Sequence, residues 1–281
     1  GDIAFNAGLS LNYNDYKTSD RVDFGPDLAG LLPGFEPEEF GNLVTDDRQN
    51  AKNISLYGDV SWHPTERLKL SAGLRYSYDN IKSSDVTMVQ GPAADLGLLE
   101  GFPLIEAEAS FTSLLPRASV SYDWNDDVTT YISYSEGSRP GGTSEVGTGS
   151  GTTIDFFDPE ITRSLEIGVR SLFADSRIAV NASAFFTQID NFQTPITRTF
   201  PGTLIPPSTV LGNVCDAISY GGELSVTATP FDGLFLQANA GLNFTEITSF
   251  SGIIIGTDPN NPPALTGSPL PNAPKHTLTL S

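Results

Sequence analysis

The chain has 281 residues, 34 acidic against 15 basic, for a formal net charge of -19. Phosphate recognition needs clustered Lys and Arg, and no basic run longer than a residue or two occurs, which excludes a nucleic-acid partner. A lone Cys215 excludes an internal disulfide, and His63 and His276 form no zinc-ligand pattern with it.

The chain opens on GDIAFNAGLSLNY, which already alternates and carries no secretory leader pattern. Ile3, Phe5, Ala7, Leu9, Leu11 and Tyr13 point one way and the intervening polar and small residues the other. Residues 53–62 repeat this, with Ile54, Leu56, Val60 and Trp62 against Asn53, Ser55, Asp59 and Ser61. The stretch 68–79, LKLSAGLRYSYD, sets Leu68, Leu70, Ala72, Leu74, Tyr76 and Tyr78 against Lys69, Ser71, Gly73, Arg75 and Ser77. Further alternating segments lie near 112–124, 127–136, 160–173, 176–189, 217–229, 233–247 and 275–281. The period-2 pattern thus predicts an all-β chain of roughly ten strands, with no convincing helical period. No window reaches the run of about 18 apolar residues that a transmembrane helix needs, but barrel strands carry a far weaker hydropathy signal.

The connections alternate. Those at 63–66, 125–126, 174–175 and 230–232 are tight and have turn compositions. Those at 15–52, 80–111, 137–159, 190–216 and 248–274 are long and rich in Gly, Pro, Asp, Ser and Thr. Strict alternation is the outline of an outer-membrane barrel, with short periplasmic turns and long extracellular loops; Greek-key sandwiches have no reason to keep it.

Aromatic placement tests that outline. Trp62, Trp124 and Phe173 fall on the apolar face beside tight turns, while Tyr13, Tyr76, Tyr78, Tyr134, Phe186 and Phe244 stand in phase at the opposite strand ends. Two interfacial girdles are expected of a barrel. A cation facing mid-bilayer costs about 2–4 kcal/mol. Asp59, Lys69, Arg75, Arg117, Glu166, Arg170 and Glu223 all fall on the polar face; Arg163, near a loop end, is the in-phase exception and is placed to snorkel.

Four stretches carry more than periodicity: TSLLPRASVSYDWNDDVTTYISYSEGSRPGG (112–142), FDPEITRSLEIGVRS (157–171), SYGGELSVTATPFDGLFLQANAG (219–241) and PLPNAPKHTLTL (269–280). In that order they resemble the C-terminal half of the barrel domain of TonB-dependent outer-membrane receptors. The resemblance implies that residues 1–281 are part of a 22-stranded barrel, a size associated with a plugged lumen. It also implies a separate plug domain and a TonB-binding segment, neither of which any stretch here matches, and import of a ferric siderophore, cobalamin or carbohydrate.

Glu166, Arg170, Arg117 and Glu223 are candidates to grip a plug, with ordinary barrel lining as the plainer alternative. The segment Arg139-Pro140-Gly141-Gly142 reads as a strand-exit turn. Glu36, Glu38 and Glu39, and Asp46 with Asp47, invite a cation in acidic loops but lack the ligand spacing and glycine of a calcium loop. Asn-X-Ser/Thr at 53, 181 and 243 lies in strands and reads as chance. No nucleophile elbow, phosphate loop or triad is present, so no catalysis and no cofactor is expected.

Three roles compete on this reading. The first is the wall of an energy-coupled importer, with lipid, TonB and a small chelate as partners. The second is a passive porin-like channel. Since an open half-barrel exposes two unpaired edges, the third is a shed, extracellular fragment stacked on copies of itself as a cross-β filament.

Overall fold

In a computed structural model, which describes residues 1–23, 41–91, 101–148, 151–198, 208–250 and 265–281, the chain is all-β. The strands are β1 (Ile3–Asp23), β2 (Asn42–Trp62), β3 (Leu68–Gln90), β4 (Phe102–Asn125), β5 (Val128–Arg139), β6 (Gly142–Thr148), β7 (Gly151–Phe157), β8 (Glu160–Phe173), β9 (Ile178–Arg198), β10 (Ser208–Ala228), β11 (Leu236–Phe250) and β12 (His276–Leu280). Ten of them form one antiparallel sheet in the order β1-β2-β3-β4-β5-β8-β9-β10-β11-β12, and β6 pairs with β7 as a separate hairpin. Each sheet strand is thus hydrogen-bonded to the next sheet strand along the chain, with only the β6–β7 hairpin intervening between β5 and β8, which is the up-and-down order of a barrel wall.

Register places like with like. Trp62 faces Leu70, Val60 faces Ala72 and Leu56 faces Tyr76, and the same row continues through Ala118 and Tyr134 to Leu165 and Phe186. Directly opposed residues share a face, so one side of the sheet is apolar and the other polar. Burial is inverted relative to a soluble sandwich: Phe5 is 86% exposed and Leu278 69%, whereas Ser55 is 0% and Ser77 5%. Among the described residues the buried set holds more polar than hydrophobic side chains, so no second sheet covers the apolar face.

Turn ends match their local chemistry. Between β8 and β9 the residues Ala174, Asp175 and Ser176 all have positive φ, at 53°, 57° and 64°. That left-handed run reverses the chain within four residues, 174–177.

The strands are longer than periodicity predicts. The expected connection 15–52 contains the upper halves of β1 and β2, 80–111 those of β3 and β4, and 190–216 those of β9 and β10. In these upper segments polar side chains stand on both faces, Lys17 opposite Arg48 and Thr18 opposite Asp47, so the alternation that signals a strand disappears although the ladder continues. The expected connection 137–159 likewise contains the β6–β7 hairpin. Arg139 ends β5 and Gly142 begins β6, so the strand exit at Pro140-Gly141 stands.

Candidate functional site

The polar face is built from cross-strand rows. In one, Asp59 on β2, Gly73 on β3 and Arg117 on β4 are directly opposed. Because Gly73 has no side chain, Asp59 and Arg117 meet over it: Arg117 Nε donates to Asp59 Oδ1 at 2.6 Å and Nη2 lies 2.5 Å from Oδ2. This fork-to-fork geometry is the strong form of an ion pair.

Above it lies a network of small polar groups. Arg75 Nη2 donates to Ser55 Oγ at 2.9 Å, the hydroxyls of Ser55 and Ser77 are 2.8 Å apart, and Asn53 Nδ2 donates to Asp79 Oδ1 at 2.7 Å. Ser55, Ser77 and Asp79 are buried, so their polar atoms are satisfied by one another. The network floors a recess of about 400 Å³ lined by Asn12, Arg75, Asp79, Ser113 and, at its upper rim, Pro140.

A third cluster joins β5 to β8. Tyr131 lies across Gly168, its hydroxyl donates to Glu166 Oε1 at 2.6 Å, and the Arg170 guanidinium sits 5.1 Å from the ring centroid. The expected grip by Glu166, Arg170, Arg117 and Glu223 is thus divided. Arg117 pairs with Asp59, Glu166 and Arg170 share Tyr131, Glu223 stands opposite Gly241 and Ser183, and Lys69 opposite Ser121. Sequence reasoning missed Tyr131 and Tyr57, which lie over Gly168 and Gly8; a tyrosine in phase with the polar row, opposite a glycine, was the available signal.

On the apolar face Trp62, Trp124 and Phe173 lie beside the tight turns, with Tyr122 edge-on to Trp124 at 5.0 Å. Tyr13, Tyr76, Tyr78, Tyr134, Phe186 and Phe244 occupy the far end of the apolar row, joined by Tyr220, which stacks on Phe244 at 5.6 Å. A shallow hollow of about 620 Å³ on this face, over Val120, Ile132, Ile167 and Ala182, offers no charged group to a polar ligand.

Arg163 is not the one charge in the apolar phase. Lys52, directly opposite Tyr13, and Arg48, Asp15, Lys82 and Glu108 beyond the upper aromatics join it. Lys52 lies 6.0 Å from the Tyr13 ring centroid, and the others are in ion pairs: Arg48 Nη2 lies 2.7 Å from Asp15 Oδ2, Lys82 Nζ 2.9 Å from Glu108 Oε2, and Arg163 contacts Asp190 and Glu136. Arg48 holds the Asp15 carboxyl below its ordinary range, chiefly by hydrogen bonding, and Asn80 with Lys82 does the same for Glu108. Asp46 and Asp47 lie within β2, while Glu36, Glu38 and Glu39 fall outside the described residues. Among the described residues no group of three His, Cys, Asp or Glu side chains is placed to hold a metal ion.

A sheet that exposes its apolar face, bounds it with two aromatic rows and keeps its in-span charges on the other face is part of the wall of a transmembrane β-barrel. The chain belongs to the TonB-dependent receptor β-barrel family: the family model "TonB dependent receptor-like, beta-barrel" matches residues 1–281. Its place is therefore the bacterial outer membrane. The pesticin receptors of Yersinia enterocolitica and Yersinia pestis are 28% identical over 146 residues, 51% of this chain and 20% of those proteins. The ferric yersiniabactin uptake receptor of Yersinia pestis superposes with a TM-score of 0.71 at 21% identity, covering 99% of this chain and 37% of that one. The siderophore receptor PiuA of Acinetobacter baumannii gives 0.65 at 18% identity, covering 99% and 40%. The chain thus spans about a fifth of the pesticin receptors and under two fifths of the yersiniabactin receptor.

Proposed function

We propose that this chain forms part of the wall and extracellular rim of an energy-coupled importer, and that its cargo belongs to the ferric siderophore class. The observation that carries the reading is the inverted sheet. Its apolar face suits lipid, and its polar face, with Asp59, Lys69, Arg75, Arg117, Glu166, Arg170 and Glu223, suits a water-filled lumen or a plug seated there. The substrate class is supported by the structural neighbours, which include a ferric yersiniabactin uptake receptor, a ferric-catecholate import receptor and a siderophore receptor.

In this reading TonB acts on a plug that is not among these strands, and the polar face resists the plug's movement through fixed groups such as the Asp59–Arg117 pair. Cobalamin and carbohydrate cargo have no comparable support among those neighbours. The test is uptake of radiolabelled ferric yersiniabactin and of a ferric catecholate by receptor-deficient cells expressing the full-length receptor. TonB-dependent accumulation of either supports the assignment; accumulation of neither, with no binding to the purified receptor, overturns it. Steady ionic conductance of the receptor in planar bilayers would favour the passive channel instead.

A further inference from the structure

The β6–β7 hairpin leaves the sheet between β5 and β8, yet it touches strands on both flanks. On one side the Thr143 hydroxyl is hydrogen-bonded to Ser83 of β3. On the other, Ser144 Oγ donates to the Leu211 carbonyl of β10 at 2.9 Å and accepts from the Leu211 amide at 3.1 Å. Thr143 and Ser144 are consecutive in a strand, so their side chains point to opposite faces of the ribbon.

β3 and β10 are the third and eighth strands of the sheet. In a flat sheet five spacings of about 4.8 Å would hold them some ~24 Å apart, far beyond the reach of one side chain on each face of a ribbon. The sheet must therefore curve around the hairpin, which stands inside that curve.

The stems are pinned as well. Gln193 of β9, only 3% exposed, donates from Nε2 to the carbonyls of Pro140 at 2.9 Å and Asp158 at 3.0 Å, one on each leg. Asn213 of β10 accepts from the Asp158 amide at 2.6 Å and donates to the Asp158 carbonyl at 2.9 Å. A Cβ on Gly141 would lie 2.4 Å from the Phe157 carbonyl oxygen and 2.7 Å from the Phe111 ring, so the base is closely fitted.

We infer that the hairpin is a fixed strut bridging the two flanks of the wall, and that import proceeds around it without its swinging away. Two clamped legs and a base bonded to both flanks give it no hinge. The seating stands on these contacts alone, whereas its consequence for import rests on the transport reading above.

The test uses the full-length receptor in intact receptor-deficient cells, with Cys215→Ser as background. Ser83→Cys with Thr143→Cys should oxidise to a disulfide as completely as the directly opposed control pair Ser55→Cys with Ser77→Cys, whose hydroxyls are 2.8 Å apart. Uptake of ferric yersiniabactin by the oxidised form should stay within about two-fold of the reduced form, a change of less than half a kcal/mol in barrier. A drop of tenfold or more that dithiothreitol reverses would make the hairpin a moving lid and overturn the inference. So would failure of the 83–143 pair to close while the control closes. Gln193→Ala, or Asn213→Ala should the first not assemble, is expected to speed amide hydrogen exchange over 140–158 at least tenfold while sparing β2. Unchanged exchange in the assembled variant would remove the clamp. If neither redox form imports the probe, the transport reading fails, and cross-linking with exchange still decides the seating.

Discussion

Asp59 and Arg117 lie on strands that are not neighbours, and they meet because Gly73, on the strand between them, leaves the space empty. A Cβ on Gly73 would come within 1.9 Å of Asp59 Oδ1 and 2.8 Å of Arg117 Nε, so alanine there must displace the pair. Both obstructing atoms are ends of flexible side chains. Gly73→Ala is therefore expected to assemble and to cost under about 1 kcal/mol, the range of a solvent-accessible pair. Combined with Asp59→Ala it should add little, and a double-mutant cycle in urea measures the coupling.

Gly221 makes the opposite case. A Cβ there would sit 1.9 Å from the Leu242 carbonyl oxygen, which is backbone of the adjacent strand. Gly221→Ala should push β10 from β11 and sharply reduce the fraction of receptor that migrates as folded barrel on unheated gels. Equal behaviour of Gly73→Ala and Gly221→Ala would contradict the distinction.

Ala72 lies on the apolar row between Val60 and Ala118, while the hydroxyl of its neighbour Ser71 is 3.0 Å from that of Ser61 on the polar row. Ala72→Arg is expected to lose about 2–4 kcal/mol on insertion and Ser71→Arg far less. Assembly yield in outer-membrane fractions reads the difference, and equal yields would place the register one residue out.

The outer ion pairs set a pH window. Arg48 lowers the Asp15 carboxyl below its usual 3.8, and Asn80 with Lys82 lowers Glu108 below its usual 4.5. A carboxylate depressed in the folded state contributes above its unfolded value, and that contribution is lost as pH falls through the folded value. Thermal stability from these pairs should thus be flat from pH 8 to 5 and fall only below about 4. Asp15→Asn and Glu108→Gln should remove that acid limb; a limb unchanged in both variants would assign it elsewhere.

Cys215 is 5% exposed within the cluster of Val214 and Ile247, and burial, followed by the nearby Asp216 and Glu160 charges, pushes its thiol up. Alkylation by iodoacetamide at pH 8 should be at least tenfold slower in the folded receptor than in guanidinium. Equal rates would mean that the upper part of β10 opens readily.

The membrane-crossing part of the fold was legible because lipid imposes a strict one-sided pattern. The alternation of Leu68 to Tyr78, with Trp62 and Phe186 in phase, marked the apolar face in the sequence itself. The upper strands were not legible: around Lys17, Arg48 and Lys82 water bathes both faces, and hydrogen bonding holds the ladder without demanding alternation. The site was half readable. The polar face gave Asp59 and Arg117 separately, but their pairing depends on a glycine on the strand between them, and the Gln193 clamp joins residues more than fifty apart in sequence. No local pattern encodes such a contact.

Strand β1 runs 21 residues and β3 23. At about 3.4 Å per residue and a tilt near 45°, such strands rise roughly 50 Å, twice the apolar band of about 25 Å. Much of the receptor that stands above the lipid is therefore rigid, hydrogen-bonded palisade. Proteases added to intact cells should find few cleavable bonds in it, and antibodies raised against short linear peptides from residues 42–52 or 80–90 should recognise the denatured chain while passing over the living cell surface.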